Sequence, residues 1–171
     1  MEATLSTHFP IQEGKHRRLV DENAAAALLK QGWTISKDPE RADMAIVNTC
    51  AFIAQAREEA EREIARALEL KRMGRYGKVV VTGCYPQRYP GAAERFPLVD
   101  SWRGVPDKWE ESPMPALRFT GKAFAYVKIA EGCNRKCAYC AIPGIRGRFR
   151  SRPAESILRE AKALLESGCR E

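Results

Sequence analysis

Asp43-Met44-Ala45-Ile46-Val47-Asn48-Thr49-Cys50 is a short apolar run, β-branched towards its end, with a thiol at its tip. Its length and residue types read as a buried strand. Gly77-Lys78-Val79-Val80-Val81-Thr82-Gly83 has the same character and is followed at once by Cys84. Between the two runs, Ile53, Ala56, Ala60, Ile64, Ala67 and Leu68 recur at helical spacing, with charge on the opposite face. That pattern predicts one long amphipathic helix, closed by Gly74. Buried strands alternating with helices predict an α/β fold on a parallel, doubly wound sheet. Ligands of such sheets bind outside the carboxyl ends of the strands. Cys50 and Cys84 fall at equivalent ends of two strands, where two thiolates could converge. Small buried cysteines at strand ends are also common as plain packing residues, and spacing alone favours that second reading.

On the N-terminal side, Ser6–Gly14 has weak strand character with Pro10 inside it. Lys15-His16-Arg17-Arg18 reads as a solvated basic surface. Asp21 is a candidate N-cap for a helix over residues 22–31, apolar at Ala25, Leu28 and Leu29 and ended by Gly32. On the C-terminal side, a short helix is predicted over residues 86–96 and a strand over Leu98–Trp102. Residues 105–121, with several prolines, read as a linker; Trp102 and Trp109 read as packing residues. The expected organisation is an N-terminal domain over 1–104, a linker over 105–121 and a second unit over 122–171. That unit opens with a strand over residues 124–130. It closes with a helix bracketed by Pro153 and Gly168, whose apolar face is Ile157, Leu158, Ala161, Leu164 and Leu165.

The strand over 124–130 feeds Glu131-Gly132-Cys133-Asn134-Arg135-Lys136-Cys137-Ala138-Tyr139-Cys140, which places three cysteines within eight residues. Thiolates are the ligands of iron–sulfur clusters, and a short loop with three of them can wrap one cubane face, leaving one iron open. A structural zinc site would want a fourth Cys or His close by. The next cysteine is Cys169, and His8 and His16 lie far back. A disulfide reading leaves an odd thiol and needs an oxidising compartment.

Hydrophobic residues make up 44% of the 171, enough for the core of one ordinary domain. Lys and Arg number 29 against 22 Asp and Glu, a net charge of +7, which favours an anionic partner such as RNA without requiring one. Arg146-Gly147-Arg148-Phe149-Arg150-Ser151-Arg152 could contact such a partner; a solvated loop is the plainer reading. No apolar run approaches the ~20 residues of a membrane span. Met1-Glu2-Ala3-Thr4-Leu5 lacks the charged-then-apolar pattern of an export signal. Free clustered cysteines without such a signal point to the cytoplasm.

The cysteine loop resembles the radical S-adenosylmethionine (radical SAM) enzymes, whose signature is Cys-x3-Cys-x-aromatic-Cys. The resemblance implies that Cys133, Cys137 and Cys140 hold a 4Fe-4S cluster. It implies that the amino and carboxylate groups of SAM take the fourth iron, and that SAM is cleaved reductively to a 5′-deoxyadenosyl radical. It places Tyr139 by the adenine; packing of a half-buried aromatic is the alternative for that ring. From about residue 19 onward the chain is similar to the methylthiotransferases within this family. Asn48-Thr49-Cys50-Ala51-Phe52-Ile53, Thr82-Gly83-Cys84, Gln87-Arg88-Tyr89 and Ala125–Cys133 carry that likeness most specifically. Ile142-Pro143 and Ser151-Arg152-Pro153 also fit. The Cys-Ala-Phe-Ile and Gln-Arg-Tyr pieces look most like the branch that methylthiolates an aspartate of small-subunit ribosomal protein twelve. The branch acting on tRNA adenosine is the alternative.

Members of the family bind a second 4Fe-4S cluster through three N-terminal cysteines, which takes part in sulfur delivery. Cys50 and Cys84 match two of them. In place of the first, this chain has Lys15, after Gly14 and ahead of Val20-Asp21. An ammonium cannot replace a thiolate, so the resemblance supports the second cluster only in part. It further implies a small-subunit ribosomal protein or the ribosome as partner, an electron donor, RNA as another candidate, and no membrane. A full barrel of strands and helices takes about 200 residues or more, and thirty-one follow Cys140. The expected architecture is therefore the N-terminal sheet followed by the first βα unit of a truncated TIM-like barrel. A chain of that extent is expected to descend from the enzyme without turning over alone. A non-catalytic iron–sulfur or metal-binding module and a basic RNA-associated protein are the other two readings.

Overall fold

The computed structural model describes residues 2–6, 28–36, 42–105 and 123–171. β1 (Glu2–Ser6), β2 (Thr34–Ser36), β3 (Met44–Thr49), β4 (Lys78–Gly83) and β5 (Ser101–Arg103) form one sheet in the order β2-β1-β3-β4-β5. Every pairing in it is parallel. That order is one of the two common doubly wound arrangements, with its switch point between β1 and β3. The fold expected from the two buried runs is therefore the one found. β1 covers Glu2–Ser6, so it meets the weak strand expected over Ser6–Gly14 at Ser6 alone. Residues 7–14, Lys15 and the helix start at Asp21 lie outside the described residues. The end of that expected helix is present at residues 28–30, with Gly32 in a left-handed conformation just past it.

The faces of the sheet follow from the alternation of a strand. Ala45, Val47, Val79 and Val81 point to one side. There α1 (Ala54–Arg72) buries Ala60, Ile64, Ala67 and Leu68 against them. Met44, Ile46 and Val80 point to the other side and pack with Leu28, Trp33 and Ile35. Each valine, leucine, isoleucine or methionine among them contributes roughly 1.5–3 kcal/mol when fully buried. Gly74 closes α1 as expected, with φ 76° and its N–H donated to the Lys71 carbonyl at 3.0 Å.

The helix expected over residues 86–96 is two pieces, α2 (Cys84–Arg88) and α3 (Ala92–Arg95). Pro90 has no N–H to continue the first piece, and it forces Tyr89 out of the helical region, to φ −124° and ψ 77°. The strand expected from Leu98 begins only at Ser101. Asp100, just before it, fastens three elements. Its carboxylate accepts the Val79 N–H at 2.6 Å and the Lys71 ammonium at 2.6 Å, joining β4, the end of α1 and the start of β5.

In the second unit the strand expected over 124–130 is not formed along its length. A strand needs a hydrogen-bonded neighbour, and among the described residues one is present only at its two ends. Ala130–Glu131 (β6) pairs antiparallel with Arg150–Ser151 (β7). At the other end the Ala123 carbonyl accepts the N–H groups of Arg170 and Glu171, and the Glu171 carbonyl accepts the Ala125 N–H at 2.9 Å. These are the bonds of a parallel bridge at Phe124. α4 (Ile142–Arg146) lies between the cysteine loop and β7, and α5 (Ala154–Glu166) carries the chain back to residues 170–171. The expected apolar face of α5 divides. Leu164 is buried and Ile157 and Ala161 are half-buried, while Leu158 and Leu165 are exposed.

Burial pushes the Asp100 carboxyl up, but the bonds from Lys71 and the Val79 N–H outweigh it and hold it below the usual range. A carboxylate depressed in the folded state contributes stability above its ordinary pKa, about 3.9, and loses it as pH falls through the folded value. Asp100→Asn is therefore expected to lower the melting temperature at pH 7. The gap to wild type should narrow as the pH is taken below 4, which thermal melts across that range would measure.

Candidate metal centre

Cys50 and Cys84 stand where the ends of β3 and β4 meet, and the polar residues before them set that meeting. The Thr49 hydroxyl donates to the Thr82 carbonyl at 2.6 Å and accepts the Tyr85 N–H at 3.2 Å. Gly83 has φ 99°, and a Cβ there would sit 2.5 Å from the Thr49 carbonyl oxygen and 2.7 Å from Asn48 Oδ1. Only glycine allows this approach, which gives the Thr82-Gly83-Cys84 piece its physical reason. Cys84 is buried and Cys50 half-buried. Burial pushes the Cys84 thiol up, the Arg146 guanidinium pulls it down, and nearby Cys50 and Glu131 push it up again; the balance is upward.

Arg146 comes from the second unit. It donates through Nη2 to Cys84 Sγ at 3.4 Å and through Nη1 to both Glu131 oxygens, at 2.9 and 3.0 Å. Its guanidinium also lies over the Phe52 ring, 5.5 Å from the centroid. Next to it, Ile145 is buried in the core of the N-terminal sheet, with Ala141 packed against that core. Glu131 is buried and also accepts bonds from Lys128 and from the Gly132 N–H. Burial raises the Glu131 carboxyl, but Lys128 and Arg146 outweigh it and hold it below its ordinary value. Sequence reasoning missed this cluster: the Arg146–Arg152 run read as a solvated loop. That expectation is corrected for Arg146 and also for Arg152, which pairs with Glu160 and bonds Ser156 and the Lys128 carbonyl. Spacing alone cannot pair Arg146 with Glu131; the Ile142-Pro143 piece, which starts α4, was the nearest signal.

The cysteine loop starts from this anchored glutamate. Gly132 has φ 76°, and a Cβ there would be 2.2 Å from the Arg148 carbonyl oxygen. The Cys133 N–H donates to the Gly147 carbonyl at 3.1 Å, and Asn134 Oδ1 accepts the Phe149 N–H at 3.1 Å. Both bonds hold the loop against the segment after α4. The Arg135 N–H already points at Cys133 Sγ, 3.4 Å away. Cys137 is exposed, and Cys133 and Cys140 are half-buried. Tyr139 is 93% exposed and packs against none of the described residues closely enough to be covered. Among the described residues no three of Cys, His, Asp and Glu are gathered closely enough to hold a metal ion. The donor set nevertheless fits a cluster, with three thiols on one accessible loop and a backbone N–H turned towards sulfur. The Lys15 segment lies outside the described residues.

A doubly wound sheet with free thiols at its ligand-binding edge, joined to a three-cysteine loop, defines an α/β protein. The chain belongs to the family described as uncharacterized protein family UPF0004, whose model matches residues 16–104. The model of the radical SAM superfamily matches residues 127–171. The chain is 42% identical to the ribosomal protein uS12 methylthiotransferase RimO of Syntrophus aciditrophicus (strain SB), over 97% of this chain and 43% of that protein. It is 38% identical to the RimO of Elusimicrobium minutum (strain Pei191), over 95% of this chain and 43% of that protein. The resemblance drawn from the cysteine spacing and the strand-tip motifs is thus borne out. The chain spans about 43% of the length of these curated relatives. Among the described residues no helix is long and apolar enough to cross a membrane.

Removing one partner of a buried ion pair leaves the other uncompensated, at about 3–5 kcal/mol. Arg146→Met leaves Glu131 its Lys128 partner and should lower stability, by less than that full amount. Combined with Glu131→Gln it should lose less than the sum of the two single changes, and denaturant unfolding of the four proteins measures the difference.

Proposed function

We propose that this chain supplies the cluster loop and the sulfur-handling edge of a radical SAM methylthiotransferase that acts on ribosomal protein uS12. One observation carries this reading. Arg146 bonds both the glutamate that precedes the three-cysteine loop and the thiol at the tip of β4, which supports reading the two groups of cysteines as parts of one site. The names of the relatives supply the substrate class. Cys133, Cys137 and Cys140 would hold a 4Fe-4S cluster, with the open iron left to the amino and carboxylate groups of SAM and Tyr139 near the adenine. Such a cluster, when bound, supplies one-electron reductive cleavage of SAM, for which an electron donor is required.

The chain's own residues do the positioning. Glu131 and Arg146 fix where the loop begins, and the Arg135 N–H, 3.4 Å from Cys133 Sγ, orients that sulfur. The Arg146 guanidinium beside Cys84 opposes the cost of burying a thiolate there. Cys50 and Cys84 would be two ligands of a second cluster, for which the position of the third cysteine holds Lys15. The proposed domain division is residues 1–104 and 122–171.

Anaerobic reconstitution followed by iron and sulfide analysis tests the assignment. About four irons per chain are expected, lost in Cys133→Ala and kept in Cys84→Ala. Iron retained by Cys133→Ala, or none bound by wild type, would overturn the loop as the cluster site. About eight irons would mean that Cys50 and Cys84 recruit another ligand.

A further inference from the structure

A cleft of about 270 Å³ opens beside the carboxyl edge of the sheet, lined by Phe52, Ala54, Arg57, Glu58, Arg88 and Tyr89. The cysteine chemistry does not use it. Yet two of the sequence pieces that carried the resemblance, Asn48–Ile53 and Gln87-Arg88-Tyr89, meet on its walls. Arg88 donates through Nη1 to the carbonyls of Ala51 and Phe52, at 2.5 and 3.1 Å, which fixes its guanidinium in place. Among the described residues no carboxylate pairs with Arg88.

The Arg57 and Arg88 guanidinium carbons lie 5.2 and 5.6 Å from the centroid of the Tyr89 ring. One aromatic ring therefore contacts two cations, and both line the same cleft. Glu61 neutralises them only in part. It serves Arg57 at 3.0 Å, and it also pairs with Arg95 at 2.8 Å and accepts the Tyr85 hydroxyl at 3.0 Å. α1 starts on the same wall, with no side chain capping it and no acidic residue in its first turn, so its dipole adds positive potential. Glu58 is the one carboxylate of the lining. Two guanidiniums lining one cleft, one of them without a carboxylate partner among the described residues, suit a planar or tetrahedral oxyanion.

We propose that this cleft binds a small oxyanion, a carboxylate or a phosphate group, between Arg57 and Arg88 at the edge of Tyr89. The site is independent of the cysteine chemistry and needs no cluster.

Calorimetric titration of the full chain with inorganic phosphate, and separately with N-acetyl-aspartate, tests this at low ionic strength. Saturable binding of at least one is expected. Arg88→Gln should weaken it about tenfold, the scale of one hydrogen-bonded charge. Glu58→Gln should tighten it, because the only like charge in the lining is removed. Phosphate alone would identify a phosphoryl ligand, and N-acetyl-aspartate alone a carboxylate. If Arg88→Gln fails to fold, because Arg88 also holds two loop carbonyls, Arg57→Gln makes the same test on a side chain that bonds no loop carbonyl in the cleft. No saturable binding to wild type, or equal binding by Arg57→Gln and Glu58→Gln, would overturn the proposal.

Discussion

The Glu131–Arg146 pair is the contact on which the relation between the two halves of the molecule depends. A buried ion pair is not stabilising by default, because both charges give up water. Here the carboxylate recovers several donors: the Arg146 guanidinium, the Lys128 ammonium and the Gly132 N–H. The guanidinium in turn finds the Cys84 sulfur and the face of Phe52. The attraction is directional, so it does more than hold two surfaces together. It fixes the start of the cysteine loop against the tip of β4.

The tip itself is arranged by backbone constraints. Gly83 lets β4 run against the Thr49 carbonyl, and the Thr49 hydroxyl ties the end of β3 to Thr82 of β4 and to Tyr85 of α2. Those contacts carry Cys50 and Cys84 to the carboxyl edge of a parallel sheet, the edge at which such folds bind ligands. Gly132 plays the matching part in the other unit, where a side chain would strike the Arg148 carbonyl. Two glycines, one on each side, thus allow two cysteine-bearing turns to pack tightly.

The α/β sheet was legible because β3 and β4 are short, apolar and buried on both faces, and α1 has a clean helical period. The break at Pro90 could have been read from the same rules, since proline ends a helix by losing its N–H. β1 could not be read in this way. Glu2–Ser6 has little strand character and is held by neighbours on both sides. The opposite failure occurs at residues 124–129, which have strand composition but pair only at their ends. In both places hydrogen-bonding partners, not local preference, decide the outcome.

By itself the sequence determined the family, the sheet, the long helix and the three-cysteine loop, because spacing and hydrophobic period are local properties of the chain. Tertiary structure alone decided that Arg146 leaves a basic run to be buried beside Glu131 and Cys84, and that Arg57 and Arg88 share one tyrosine ring. Charged residues in a sequence look alike whether solvated or paired. Which of them is desolvated depends on what the fold brings across from tens of residues away, and a buried charge keeps its place only where that partner is found.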